Sequence, residues 1–121
     1  MKENIIMRKS FAFSVRIMNL HKYLSRKKGE QVASRQICKS GTSIGANIAE
    51  AQRAQSTADF VSKMKIALKE ANETQYWLQL LHESKYITDK EFTSLHGDLV
   101  EILRMLTAIC KHYPQNNQKQ I

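Results

Sequence analysis

Residues 40–50, with the sequence SGTSIGANIAE, constrain the fold of this chain more than any other segment. The segment is rich in small residues, yet the isoleucines within and just before it keep the spacing of one helical face, at Ile37, Ile44 and Ile48. Small side chains at this spacing allow a second helix to approach closely. Asn47 and Glu50 add polar groups beside the apolar face, where they are costly unless they are paired. The segment therefore predicts a helix that determines how its neighbours pack.

The first two predicted helices surround this segment. The first is expected over about residues 6–27, because its apolar residues form one stripe: Ile6, Phe13, Ile17, Leu20 and Leu24. Gly29 suits the left-handed conformation that commonly ends a helix. The second helix contains residues 40–50 and should end near Arg53. Its apolar face is predicted at Ile37, Gly41, Ile44 and Ile48.

Capping signals mark the start of two further helices. Ser56 and Asp59 resemble a capping box in which Asp replaces the usual Glu. The third helix then carries an apolar stripe at Phe60, Met64, Ala67, Ala71, Leu78 and Leu81. Thr88 and Glu91 form a capping box for the fourth helix, and Ile87 and Phe92 are placed for a hydrophobic staple. Pro114 ends a fourth stripe at Phe92, Leu95, Leu99, Ile102, Leu106, Ile109 and Tyr113.

Four long amphipathic helices with short connections pack best as an antiparallel up-down-up-down four-helix bundle, so the predicted fold class is all-α. A chain of 121 residues is long enough for one domain with its own core. The bundle is expected over residues 6–113. Residues 1–5 are predicted to be a flexible N-terminus. Residues 114–121 are predicted to be a disordered polar tail, because this polar segment follows the last apolar stripe and has no face to bury.

Two separated segments resemble a known family. The first is S-I-x-x-N-I-A-E at residues 43–50. The second follows Ser56 and comprises Asp59-Phe60, Lys63-Met64, Ile66-Ala67-Leu68, Glu70-Ala71, Glu73 and Tyr76-Trp77-Leu78. Their order and spacing are similar to those of the 23S rRNA-intervening sequence proteins, which are small bacterial four-helix bundles. The resemblance covers roughly residues 6–111. It implies the bundle fold, and it implies no activity, since none is established for most of that family.

The accessory variability proteins of diversity-generating retroelements are similar to this family. Those proteins are basic, ring-shaped pentamers that bind nucleic acid and a reverse transcriptase. The resemblance therefore implies that a homo-oligomer, with a pentameric ring favoured, and a nucleic-acid partner are to be expected for this chain.

Several apolar stripes are wider than one bundle core requires. The additional residues are Phe11, Val15 and Met18 in helix one, Trp77 and Leu80 in helix three, and Val100, Leu103 and Cys110 in helix four. Periodicity alone fits two interpretations equally, namely a broad core stripe and a contact with another subunit. The family resemblance favours the second interpretation.

The positive charge of the chain lies in its first third. The whole sequence carries a formal net charge of +8. Residues 1–40 hold ten Lys and Arg against two acidic residues, whereas residues 41–121 hold nine of each. The charges expected to point away from the apolar stripes of the first two helices are Arg8, Lys22, Arg26, Arg35 and Lys39. Because a short loop makes these helices antiparallel neighbours, their charges should form one basic surface.

A segregated positive surface predicts an anionic partner, because unneutralised charge destabilises the compact state. Phosphates of RNA or DNA are natural partners, since binding them releases counterions. Base-specific reading is not expected, because only Tyr23 lies among the basic residues and no recognition motif is present. Two alternatives remain open: a solvated face that keeps the protein soluble, and a structural or adaptor protein whose basic face docks an acidic protein partner.

No constellation for catalysis or metal binding can be assembled from the sequence. A di-metal bundle centre needs Glu-x-x-His on two helices, and none of the four histidines has a Glu three residues before it. Gly41 and Gly45 lie inside a helix without the Lys that follows a phosphate-binding loop. We therefore predict a protein that is not an enzyme and has no cofactor and no metal.

The polar residues beside the helix seams are predicted to set helix register or an interface. They are Asn47, Glu50, Glu70 and Glu73, and we add Trp77 and Leu103 to the predicted interface. A ligand or metal role for the four polar residues is the alternative.

Cys38 and Cys110 fit no metal spacing and are expected to be small core residues, with a disulfide between helices as the alternative. No apolar run reaches the length of a membrane span, so a cytoplasmic protein is expected.

Overall fold

The computed structural model describes residues 4–113, and within them the chain forms four α-helices. These are α1 (Ile5–Arg26), α2 (Val32–Ala51), α3 (Thr57–Glu83) and α4 (Asp89–His112). Each helix packs against its neighbours in sequence, and α4 also packs against α1. The backbones of the diagonal pairs within residues 4–113 do not approach within 8 Å, Cα to Cα. The predicted antiparallel four-helix bundle is confirmed. The predicted tail at residues 114–121, and residues 1–3 of the predicted flexible N-terminus, lie outside the described residues.

The helix boundaries follow from local hydrogen bonds. The Ser56 hydroxyl accepts the Asp59 amide at 3.1 Å, and both bonds of the Thr88–Glu91 capping box are present. Gly29 has a φ of 68°, as the helix-ending prediction requires. Two boundaries differ from expectation. Helix α1 begins at Ile5 because the Asn4 side chain caps it through the Met7 amide, and α2 ends at Ala51 rather than near Arg53.

The predicted apolar stripes meet in the centre of the bundle. The stripes of α1 and α2 are buried as expected, and α4 contributes Leu95, Leu99, Ile102 and Leu106. In α3 the prediction was inexact at one end. Val61 is buried while Phe60 is only half-buried, because Phe60 packs edge-on against Tyr113 near the end of the bundle at a centroid distance of 5.5 Å.

The small residues of α2 allow a close approach to α1, as residues 40–50 predicted. Gly41 lies against Ile17, and Gly45 lies against Ser14 and the backbone of Ser10. These contacts set the register of the two antiparallel helices. The N-terminal half of α2 therefore lies beside the C-terminal half of α1.

Candidate nucleic-acid interface

Basic side chains converge where α1 turns into α2. Of the five predicted binding residues, Lys22 and Arg26 lie on the last two turns of α1, and Arg35 and Lys39 lie on the first two turns of α2. All four are exposed. The connection adds two exposed residues that the prediction omitted, Lys27 and Lys28. We call these six residues, namely Lys22, Arg26, Lys27, Lys28, Arg35 and Lys39, the turn-end cluster.

The turn-end cluster is not neutralised by acidic side chains. Within residues 4–113 its members form no ion pair. Two other basic residues of α1 differ, because Lys9 pairs with Glu101 at 3.1 Å and Arg16 pairs with Asp98 at 2.7 Å across the α1–α4 contact. The positive charge of α1 is thus divided into a portion paired with α4 and a portion that faces solvent at the turn.

Glu30, the one acidic residue in this connection, caps the start of α2. Its carboxylate accepts hydrogen bonds from the backbone amides of Val32, Ala33 and Ser34 at 3.1, 3.0 and 2.7 Å. It therefore satisfies the first amides of α2, which otherwise has no side-chain cap. Because the carboxylate is directed at the helix end and not at the lysines and arginines, the outer surface of the turn stays positive.

Arg8 lies apart from the other predicted binding residues. It is exposed, but it precedes Lys22 by 14 residues, which corresponds to about 21 Å at the helical rise of 1.5 Å per residue. The outward surface between them carries the exposed apolar side chains of Phe11, Val15 and Met18. The expected single basic surface is therefore a compact cluster at one end of the bundle, with Arg8 near the other end.

The fold brings aromatic side chains to the edge of the turn-end cluster. The Lys28 ammonium lies 5.9 Å from the ring centre of Tyr23. Both residues line an open cleft of about 500 Å3 together with Tyr86, which comes from the α3–α4 connection. Tyr86 is far from the basic residues in sequence, so periodicity could not indicate it. The available signal was the short connection between the third and fourth helices. In an up-down-up-down bundle, this connection lies at the same end as the connection between the first and second helices.

The residues predicted to set helix register differ in what they contact, since some reach a neighbouring helix and others bond within their own helix. Glu50 reaches across to Lys63 of α3 at 3.9 Å, whereas the Asn47 amide donates to the Ser43 carbonyl of its own helix at 2.8 Å. The Glu73 carboxylate accepts the indole N–H of Trp77 one turn away at 3.3 Å. Glu70, Trp77 and Leu103 are half-buried, and the last two pack against the core of their own chain. This set does not form one shared site.

Buried hydroxyl pairs, which the sequence reasoning missed, link the helices instead. Thr74 of α3 donates to the Ser40 hydroxyl of α2 at 2.9 Å, and both residues are buried. His21 Nδ1 of α1 lies 2.5 Å from the Ser34 hydroxyl of α2. The available signal was the position of Ser40, which falls three residues after Ile37 and four before Ile44 on the buried face.

The His21–Ser34 contact does not form a catalytic arrangement. Ser34 is fully buried, so a substrate in solvent has no access to its hydroxyl. The Glu30 carboxylate accepts a hydrogen bond from the backbone amide of Ser34. The third side chain of this group is that of Ser25, whose hydroxyl lies 3.2 Å from the Ser34 hydroxyl. A nucleophile needs an accessible oxygen and a base oriented by a third group. The contact is instead a polar link between α1 and α2.

The cysteines lie at the margins of the core. Both are half-buried free thiols, and Cys38 Sγ lies 3.7 Å from Met18 Sδ. Burial raises the pKa of both thiols, and nearby Lys65 opposes that effect at Cys110.

Within residues 4–113 there is no group of three or more His, Cys, Asp or Glu residues placed to hold a metal ion. The helices described are each too short or too polar to span a membrane.

Comparison with known proteins identifies a matching family and a similar solved structure. The family model described as 23S rRNA-intervening sequence protein matches residues 2–108. A crystal structure of a protein of unknown function from the S23 ribosomal protein family of Bacteroides thetaiotaomicron shares 54% sequence identity. It superposes with a TM-score of 0.88, and the match covers 92% of this chain and 99% of that one. Among curated proteins, none matches this sequence.

Proposed function

This chain belongs to the 23S rRNA-intervening sequence protein family, and we propose that it binds RNA or DNA through phosphate contacts at the turn-end cluster. In this proposal the protein is a cytoplasmic, non-enzymatic homo-oligomer. The observation that carries it is the set of six exposed basic side chains without an acidic partner among residues 4–113.

Phosphate binding accounts for the unneutralised charge. Like charges held together at the end of two helices repel one another and disfavour the folded state. A phosphate backbone removes that repulsion and releases its condensed counterions, so affinity falls as salt rises. Exposed lysine and arginine side chains are expected to contact phosphate groups. Such contacts do not distinguish one base sequence from another. Little base preference is therefore expected.

The homo-oligomer is supported by apolar side chains that the single chain leaves exposed. Phe11 and Val32 are each 71% exposed, and Tyr76 is 58% exposed. Phe11 lies on the same side of α1 as Val15 and Met18, which are 47% and 46% exposed, and a grouped exposed apolar surface of this kind commonly marks a protein–protein contact. An oligomer would also repeat the turn-end cluster, so that weak individual phosphate contacts combine through multivalency. The family resemblance favours five subunits arranged as a ring.

Salt-titrated binding tests the phosphate proposal. Short single-stranded and duplex RNA and DNA are titrated with the protein at several salt concentrations, and an acidic polypeptide serves as the comparison ligand. If all six cluster residues contact phosphates of a duplex, the plot of log affinity against log salt has a slope of roughly −5. A negligible slope would contradict the proposal. Tight binding to the acidic polypeptide without binding to nucleic acid would support the adaptor alternative.

The oligomer proposal has its own measurement. Light scattering coupled to size exclusion is expected to give a mass close to five chains of 14.0 kDa. A monomer at micromolar concentration would contradict it. Leu103 is a poor position for disrupting an interface, because it packs against the core of its own chain.

A further inference from the structure

The outward surface of α1 carries an apolar stripe that its own chain does not cover. Phe11, Val15 and Met18 follow one another at helical spacings of four and three, and they are 71%, 47% and 46% exposed. They lie opposite the buried stripe that contains Phe13 and Ile17. Helix α1 has no acidic residue, and the exposed Lys22 continues the stripe one turn beyond Met18. We call Phe11, Val15 and Met18 the α1 face, which ends where Lys22 of the turn-end cluster begins.

A second apolar surface lies on α2 and α3. Val32, Trp77 and Leu80 line a cleft of about 150 Å3, and the exposed Tyr76 packs edge-on against Trp77 at 5.0 Å. The α3 part of this surface is acidic, since residues 70–83 hold Glu70, Glu73 and Glu83 and contain no Lys or Arg, whereas Arg35 of the turn-end cluster follows Val32 by one turn on α2. We call Val32, Glu73, Tyr76, Trp77 and Leu80 the α2–α3 face.

We propose that the α1 face of one copy docks on the α2–α3 face of the next copy. This inference rests on the homo-oligomer of the proposed function and specifies which surfaces meet in it. The exposed aromatic ring of Phe11 supplies an anchor of the kind that fills interface pockets, and the cleft beside Trp77 is such a pocket. The basic helix α1 then lies beside the acidic half of α3.

Charge complementarity selects this pairing of unlike faces. A symmetric contact between two α1 faces would bring together helices that carry no acidic residue at all. A symmetric contact between two α2–α3 faces would bring together two copies of Glu73 and its neighbours. Like charges that face each other across an interface are costly, whereas opposite charges guide association and determine the register.

The positions of the two faces determine the kind of assembly. Helices α1 and α3 occupy diagonal positions in the bundle, and their backbones do not approach within 8 Å of each other, Cα to Cα. A copy therefore presents its two unlike faces in different directions, and each face remains available to a separate neighbour. Contacts between unlike faces are head-to-tail, and they generate a closed ring when the rotation between neighbours closes.

Two complementary variants test the proposal. Phe11→Asp disrupts only the α1 face, and Val32→Asp/Tyr76→Asp disrupts only the α2–α3 face. The three side chains are 58–71% exposed, so each variant chain should stay folded, with a helix content near that of the parent. Each variant alone is expected to be a monomer in sedimentation velocity. An equimolar mixture is expected to form a one-to-one heterodimer, because each variant supplies the face that the other lacks. Thr93→Asp, at an exposed position of α4, is the matched control and should assemble like the parent.

The outcomes separate the two levels of the proposal. A monomeric parent would contradict the homo-oligomer itself. An oligomeric parent whose size is unchanged by Phe11→Asp would overturn the assignment of the α1 face, and an unchanged size in Val32→Asp/Tyr76→Asp would overturn that of the α2–α3 face. Two monomeric variants that form no heterodimer at the highest soluble concentration would overturn the head-to-tail arrangement.

Discussion

Gly41 of α2 lies so close to Ile17 of α1 that a β-carbon on Gly41 would be 2.9 Å from Ile17 Cγ1 and 3.0 Å from Cγ2. Ile17 is fully buried and branched at Cβ, so its side chain has no free space into which to move. The separation of α1 and α2 at this level is therefore determined by the absence of a side chain at residue 41.

Gly41→Ala is expected to lower the free energy of unfolding by about 1 kcal/mol, because overpacking of about 1–3 kcal/mol exceeds the roughly 1 kcal/mol gained in helix propensity. Gly97→Ala is the matched control, since Gly97 is also in a helix interior and a β-carbon there would meet nothing within 4 Å. Gly97→Ala should stabilise the protein by up to about 1 kcal/mol. Urea denaturation of both variants measures the difference, and stabilisation by Gly41→Ala as large as that by Gly97→Ala would contradict the close approach.

Thr74→Val is expected to destabilise the bundle by about 1–3 kcal/mol, because it leaves the buried Ser40 hydroxyl without its partner at 2.9 Å. Thr74→Ser keeps the hydroxyl and should cost less. The double variant Ser40→Ala/Thr74→Val removes both polar groups, so its loss should be smaller than the sum of the single losses. Thermal and urea unfolding give the required free energies, and strict additivity would argue against the hydrogen bond.

Arg35→Glu/Lys39→Glu should weaken binding to RNA or DNA and make its salt dependence shallower, because fewer phosphate contacts release counterions. Both side chains are exposed, so stability should change by no more than about 0.5 kcal/mol per substitution. Lys65→Glu/Lys69→Glu on α3 is the matched control, with the same spacing, exposure and change in net charge. Equal losses in the two variants would mean that net charge, and not the turn-end cluster, governs binding.

Asp59 should contribute stability that disappears in acid. The Lys63 ammonium donates to its carboxylate at 3.1 Å and lowers its pKa below the ordinary value of 3.8, and the Gln55 amide adds a weaker bond at 3.3 Å. Since the folded pKa lies below the unfolded one, the stabilisation is complete above the unfolded pKa and is lost as pH falls through the folded pKa. Asp59→Asn should therefore be less stable than the parent at neutral pH, and the two should converge in acid.

Denaturation across this pH range measures the convergence. When Lys63→Met is introduced into both the parent and the Asp59→Asn variant, the difference in their stabilities at neutral pH should become smaller, because the principal cause of the lowered pKa is gone. If the difference between the parent and Asp59→Asn is constant with pH while Lys63 is present, Asp59 stabilises α3 by another route.

The sequence alone was sufficient to predict the helices and their order. Apolar spacing, the Thr88–Glu91 capping box and Gly29 depend on residues within a few positions of one another, and such local patterns determine helix ends and buried faces. The small residues at 40–50 likewise predicted a close helix contact, because steric room is a property of the residue itself. The exposure of Lys22, Arg26, Arg35 and Lys39 followed from the same periodicity.

Only the tertiary structure decided which charges remain unpaired and which polar groups meet. Lys9 and Arg16 cannot be distinguished from Lys22 by composition, yet their partners Glu101 and Asp98 come from α4, at the other end of the chain. The same holds for Thr74 with Ser40, and for Tyr86 beside Tyr23 and Lys28. A polar contact needs atoms within about 3 Å, and a distance of that kind between separate helices depends on the rotation and register of both helices together.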